Sequence, residues 1–148
     1  MIKILCISDS NKHFDFAIQE YKKRLAKKID IRNIKPSKNG SVQQIISQDT
    51  DNINKQLKKE DMNIMLSLSG NTIDSMDFKN YIQKAQNSSQ NIVFVIWGAF
   101  GLDESKLINI NKKICFGRMT LPHGLMKLVI VEQIYRALAI ISGKKYHY

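Results

Sequence analysis

The sequence predicts an α/β layer fold, a largely parallel sheet with helices on both faces. Three observations point to it. Short apolar, β-branched runs alternate with longer stretches of helical periodicity from one end of the chain to the other. The run "NIVFVIW", residues 91–97, is apolar from Ile92 onward without polar alternation, as a strand covered on both faces must be. No repeat and no linker divides the 148 residues, which read as one domain, 1–148, long enough to bury a core.

The elements follow in order. "IKILCIS" (2–8) is a buried strand, and Ser10 and Asn11 could cap the helix after it. In that helix Phe14, Ala17, Ile18, Tyr21 and Leu25 recur at helical spacing, with Lys and Arg on the other face. "IDIRNIK" (29–35) alternates as a strand and closes in a loop at 36–40. Ser41 opens a second helix whose stripe is Val42, Ile45, Ile46, Ile53 and Leu57. "MNIMLSL" (62–68) is the third strand, stopped by Ser69, Gly70 and Asn71, and Phe78, Tyr81, Ile82 and Ala85 face inward from the third helix. After 91–97, a short helix following Asp103 leads to the fifth strand "KICF" (113–116), and the last helix spans about 124–141. That helix is apolar nearly all round, so one sheet cannot cover it; a second copy of the chain can, and a homodimer is expected.

Lys and Arg number 23 against 13 Asp and Glu, a net charge of +10, and nine of the cations fall in residues 12–38 with only three acids. Clustered positive charge predicts a polyanionic partner, nucleic acid first. Cys6 and Cys115 each sit in an apolar run, with no CxxC and no Cys/His cluster. They read as buried free thiols of a cytoplasmic protein, with neither a metal site nor a disulfide. The first apolar run is too short for a signal peptide. The apolar stretch 125–141 is broken by Lys127, Glu132, Gln133 and Arg136, so no membrane span is expected.

Candidate chemistry lies in the turns. Ligands of parallel sheets bind beyond the carboxyl ends of strands, and the loops at 67–71, 97–102 and 117–123 should converge on one site. Gly98 and Gly101 flank an apolar pair in "WGAFG", a pattern that matches neither GxGxxG nor a P-loop. It suits apolar walls with exposed amides, as an adenine ring would require, or simply tight turns. Pro122 holds His123 at the first turn of the last helix, where an imidazole can bind a phosphate, take a proton or merely cap. Glu132 and Arg136 make an i,i+4 pair that is costly on an apolar helix unless its charges meet something. Tyr146 and His147 stand at a terminus, where chains usually fray.

The segment "LPHGLMKLVIVEQIYRALAIISGKKYHY", the loop glycines and the strand–helix order resemble the ribosomal RNA large subunit methyltransferase H family, SPOUT-class methyltransferases with a C-terminal trefoil knot. The resemblance covers essentially the whole chain. It is most specific over 120–147, where Leu-Pro-His, Glu-Gln-x-Tyr-Arg-Ala and a terminal Tyr-His occur in register. It implies a homodimer that binds S-adenosyl-L-methionine in the knot and methylates N3 of a pseudouridine in 23S rRNA of the assembled ribosome. The positions that match the family's cofactor site are Leu66, Trp97, Gly98, Phe116, Gly117, Arg118, Met119, Thr120 and Leu121. Two departures stand out. Trp97 replaces the first of a usual Gly-Gly pair, which leaves the site intact only if its indole turns away. Lys127 replaces a common Arg and loses the bidentate fork.

Methyl transfer from a sulfonium is an in-line displacement governed by orientation, and the N3 proton must leave before or during attack. The candidates for that work are His147 with Tyr146 from the tail, His123, and the charges of Arg136 and Lys127. The competing expectations are a SPOUT methyltransferase acting on tRNA or uridine, and a non-catalytic RNA-binding dimer whose pocket Trp97 has closed.

Overall fold

Five strands, β1 (Ile2–Ile7), β2 (Ile29–Ile34), β3 (Met62–Thr72), β4 (Ile92–Ile96) and β5 (Lys112–Cys115), form one sheet in the order β2-β1-β4-β3-β5, with every pairing parallel. Helices α1 (Lys12–Leu25), α2 (Val42–Asn54), α3 (Ser75–Asn87) and α4 (His123–Ile141) connect and cover it. The computed structural model describes residues 1–9 and 12–146, except for the side chain of Lys12. The expected caps Ser10 and Asn11 lie outside those residues.

Strand parity assigns each side chain to one of two cores. Ile2, Ile4, Cys6, Ile64, Leu66, Ile92, Phe94 and Ile96 face α1, α3 and α4, where Ile18, Phe78, Ile82, Ile130 and Ile134 complete the larger core. Leu5, Ile7, Val93 and Val95 face the other way, onto Ile53 and Leu57. The sheet is therefore covered on both faces. β4 is the central strand, and all five of its residues are buried, as its unbroken apolar run requires.

The local signals explain the helix starts. Ser41 accepts a hydrogen bond from the Gln44 amide while the Gln44 side chain accepts one from the Ser41 amide, a capping box that opens α2. Asp74 and Asp77 do the same for α3. On α2 the buried set is Ile45, Asp49, Thr50 and Ile53. Val42 is half exposed, and Leu57 reaches the core from the turn beyond the helix.

Two expected boundaries are corrected. β3 does not stop at Ser69. Leu66 pairs with Ile114, the chain then leaves the ladder, and Asn71 pairs with Ile114 again. The strand resumes because Gly70 lets the excursion pass over β5; a Cβ there would lie 2.6 Å from the Ile114 amide nitrogen. No helix forms after Asp103, where the chain makes only a turn. Instead α2 side chains hold this segment, and at Ile108 and Lys106 they occupy backbone groups a helix would use. Thr50 Oγ1 accepts from the Asp103 amide, Asn54 Oδ1 accepts from the Ile108 amide, and Asn54 Nδ2 donates to the Lys106 carbonyl.

Candidate functional site

The middle of β3, where it leaves the ladder, the carboxyl ends of β4 and β5 and the first turn of α4 line a cavity of about 620 Å³, a size ordinary for a small-molecule site. The three loops singled out from the sequence converge here. Leu66, Trp97, Gly98, Phe116, Gly117, Met119, Thr120, Leu121 and His123 line it. Arg118 is exposed beside the cavity and is not among its lining residues. Ser67, Leu68, Ala99, Phe100, Ile114 and Met126 complete much of the wall. Ser67, Leu68, Ala99 and Phe100 belong to the loops expected there, whereas Met126 was missed because helical periodicity alone does not say which ligand a residue faces.

Trp97 is part of the wall, and its indole leaves the cavity open. The next residue, Gly98, is closely packed. A Cβ on Gly98 would lie 3.0 Å from Cγ2 of Ile7 and 3.1 Å from its carbonyl oxygen, so the loop presses main chain onto the end of β1. At the mouth, Leu68 (53%), Phe100 (55%) and Met119 (79%) expose apolar surface.

Polar bonds hold the wall in place. The Glu104 carboxylate accepts from the Ser67 hydroxyl at 2.7 Å, the Ser69 hydroxyl at 3.3 Å and the Lys113 ammonium. Partial burial pushes its pKa up, but the bonds from Lys113 and Ser67 together with the Lys113 charge outweigh that and hold it below the ordinary value. The Cys115 thiol donates to the Gly117 carbonyl at 2.7 Å. Apart from that thiol, His123 is the one titratable side chain among the described lining residues.

The other candidates are elsewhere. Arg136 follows His123 by 13 positions on one helix, about 20 Å along the axis. It donates to Glu132 Oε1 at 2.8 Å and to the Tyr146 carbonyl at 3.3 Å, and its guanidinium lies 5.0 Å from the Tyr146 ring centre. Tyr146 also meets the Tyr135 ring edge-on at 5.1 Å. The tail is thus seated on α4 as far as Tyr146 rather than frayed, which is what the Glu132–Arg136 pair was missing. His147 lies outside the described residues. Lys127 turns from the cavity toward β2, where it donates to Asn33 Oδ1 at 3.0 Å. Among the described residues no group of His, Cys, Asp and Glu side chains could hold a metal ion. No helix there is long and apolar enough to cross a membrane.

A parallel sheet with an apolar cavity at its strand ends is the ligand-binding arrangement of α/β folds, and comparison with known families specifies which. Residues 1–147 match the family model described as "Predicted SPOUT methyltransferase", and the chain belongs to that family. Its relatives carry a narrower name. The chain is similar to ribosomal RNA large subunit methyltransferase H of Clostridium tetani, 37% identical with 92% of this chain and 91% of the relative covered. It is also similar to the proteins of that name from Streptococcus equi subsp. zooepidemicus (35%, covering 99% and 98%) and Caldicellulosiruptor saccharolyticus (31%, covering 99% of each).

Proposed function

We propose that this protein is an S-adenosyl-L-methionine-dependent methyltransferase. In this reading it acts in the cytoplasm as a homodimer, on N3 of a pseudouridine in 23S rRNA of the assembled large ribosomal subunit. The observation that carries this reading is the cavity. It is lined by eight of the nine residues that match the family's cofactor positions, all but Arg118, in a chain whose relatives are named for the large-subunit RNA.

The cavity fits the methyl donor on its own terms. Its volume is adequate, Leu66, Trp97 and Phe116 supply apolar walls for a purine, and Gly98 brings main chain close. The backbone of 116–121 offers amides and carbonyls for the polar edges of a nucleoside. When bound, S-adenosyl-L-methionine brings an already activated methyl group. The chain's own task is to orient the target nitrogen and accommodate its proton. His123 stands at the wall for that. Arg136 and Tyr146 do not reach the cavity of their own protomer, which supports a site completed by the tail of a second copy.

The outer stripe of α4 supports the dimer. Leu125, Val129 and Ile140 are half-buried without joining the core, on the same side as Arg136. An antiparallel pairing of two such helices would bring the tail of one protomer toward the cavity of its partner. The parallel β3–β5 pairing, the excursion at 67–70 and the return through α4 agree with the family's knot, and a single sheet supports treating 1–148 as one domain.

The test is methyl transfer to ribosomes from cells lacking this protein, comparing particles that carry pseudouridine with particles that carry uridine, alongside calorimetry with S-adenosyl-L-methionine. Cofactor binding together with methylation confined to pseudouridine-containing ribosomes is expected. Methylation of uridine or tRNA would move the substrate. An absence of binding heat would leave a non-catalytic RNA-binding dimer.

A further inference from the structure

The polar groups at the carboxyl ends of β1 and β2 lie beside the cavity and have no part in it. Lys127, one helical turn after His123, is only 2% exposed. A buried ammonium is ordinarily met by a carboxylate. Among the described residues Lys127 has no ion pair, and its side-chain hydrogen bond goes to Oδ1 of Asn33 at 3.0 Å. The hydroxyl of buried Ser8 donates to the same oxygen at 3.5 Å while accepting from the Cys6 thiol at 3.4 Å.

Two donors on one oxygen settle the orientation of the amide. Oδ1 is occupied, so Nδ2, a donor only, is left without a hydrogen-bond partner among the described residues. Asn33 is itself exposed, on the edge strand. In register it stands beside Cys6, which stands beside Ile96 of the cavity wall. Two strand spacings, about 10 Å, separate Asn33 from that wall. Of the cations nearby, Lys35 has no ion pair among the described residues, whereas Lys38 faces Asp9 at 3.8 Å and Arg32, on the opposite face of β2, pairs with Asp30 at 2.8 Å. An unpartnered N–H with a buried positive charge behind it favours an anionic acceptor over a neutral one.

We propose that Asn33, backed by Lys127, receives a phosphate oxygen of the substrate RNA beside the methyl-transfer cavity. Asn33 is the contact and Lys127 the positioning residue. The inference rests on the reading of RNA as substrate, and it goes beyond the general grip of the basic first helix by assigning one contact at one site.

The decisive variant is Asn33→Asp, which sets a carboxylate against the Lys127 ammonium and removes the unpartnered donor. It is expected to keep or raise the melting temperature and to leave cofactor affinity unchanged. Affinity for 23S rRNA in a filter assay, and kcat/KM on large subunits, should both fall at least tenfold. Lys127→Met should lower the slope of log affinity against log salt by about one, with Asn33→Ala as the second variant should it fail to fold. Wild-type affinity and an unchanged salt slope in Asn33→Asp would overturn the proposal. A loss that is independent of salt and confined to one RNA sequence would also overturn it, because it would identify a base carbonyl as the acceptor. Failure of the wild type itself to methylate ribosomes would count against the substrate reading, and the filter assay would still decide the contact.

Discussion

A single methyl group on Gly98 would have to share space with the end of β1, 3.0 Å from Cγ2 of Ile7. Gly98→Ala is therefore expected to cost about 1–3 kcal/mol of stability by overpacking and to weaken cofactor binding, both readable by denaturation and calorimetry. Its neighbour behaves differently: Trp97→Gly should leave cofactor binding equal or tighter, since the indole is wall and not plug. Two carboxylates, Asp61 and Glu104, contribute to the pH dependence at this scale. Asp61, buried, takes bonds from the Lys3 ammonium at 3.0 Å and from Nδ2 of Asn91 at 2.8 Å. Burial pushes its pKa up, and those bonds with the Lys3 charge outweigh it and leave it below the ordinary value, as at Glu104. A carboxylate with a lowered folded-state pKa stabilises fully above its unfolded value, about 4. That stabilisation is lost as pH falls through the folded value. Urea midpoints measured from pH 7 down to pH 3 should drop, and Asp61→Asn should flatten the drop while lowering the midpoint at pH 7.

Between β4 and β5 the chain has no regular element, and α2 supplies its order. Besides the bonds from Thr50 and Asn54, the Asn63 side chain donates to the carbonyls of Lys58 and Asn109, and the Asn63 amide donates to Asn111. Asn54→Ala breaks two bonds to this segment and should cost about 1–3 kcal/mol. Because the same segment carries Glu104, the variant should also loosen Ser67 and raise the cofactor Kd. An unchanged Kd in a destabilised variant would show that the clamp serves folding alone. The helix expected after Asp103 does not form in this segment. Its local pattern was adequate, but an α2 side chain about fifty positions earlier holds the Ile108 amide and the Lys106 carbonyl, and no window of local sequence contains that information. Likewise "SLSGN" reads as a strand end, and only the steric demand of Ile114 against Gly70 reveals an excursion with the strand resuming beyond it.

For the whole molecule the deciding feature is α4. Its inner side, Ile130, Val131, Ile134 and Ala137, is fully buried, while Leu125, Val129 and Ile140 remain half covered. Val129→Asp is expected to yield a folded monomer by light scattering that has lost methylation. Complementation gives a sharper test of a site shared between protomers. A chain lacking residues 146–148 and a Gly98→Ala chain should each be poorly active alone and regain activity when mixed, because one hybrid site would be intact. No recovery on mixing would place the whole reaction within one protomer.

Composition, hydrophobic periodicity and turn residues determined the layer fold, the buried β4 and the four helices α1 to α4, because these depend on side chains a few positions apart and on burial alone. The resemblance at Leu-Pro-His and the loop glycines picked out most of the cavity wall. Other features depend on which distant segments meet: Lys127 turned onto Asn33, Glu104 fastened to Ser67, and Arg136 and Tyr146 set about 20 Å from His123. Those partners are chosen by packing across the sheet, where close packing fixes which segments meet and burial favours arrangements that pair polar groups. Tertiary structure alone could decide them.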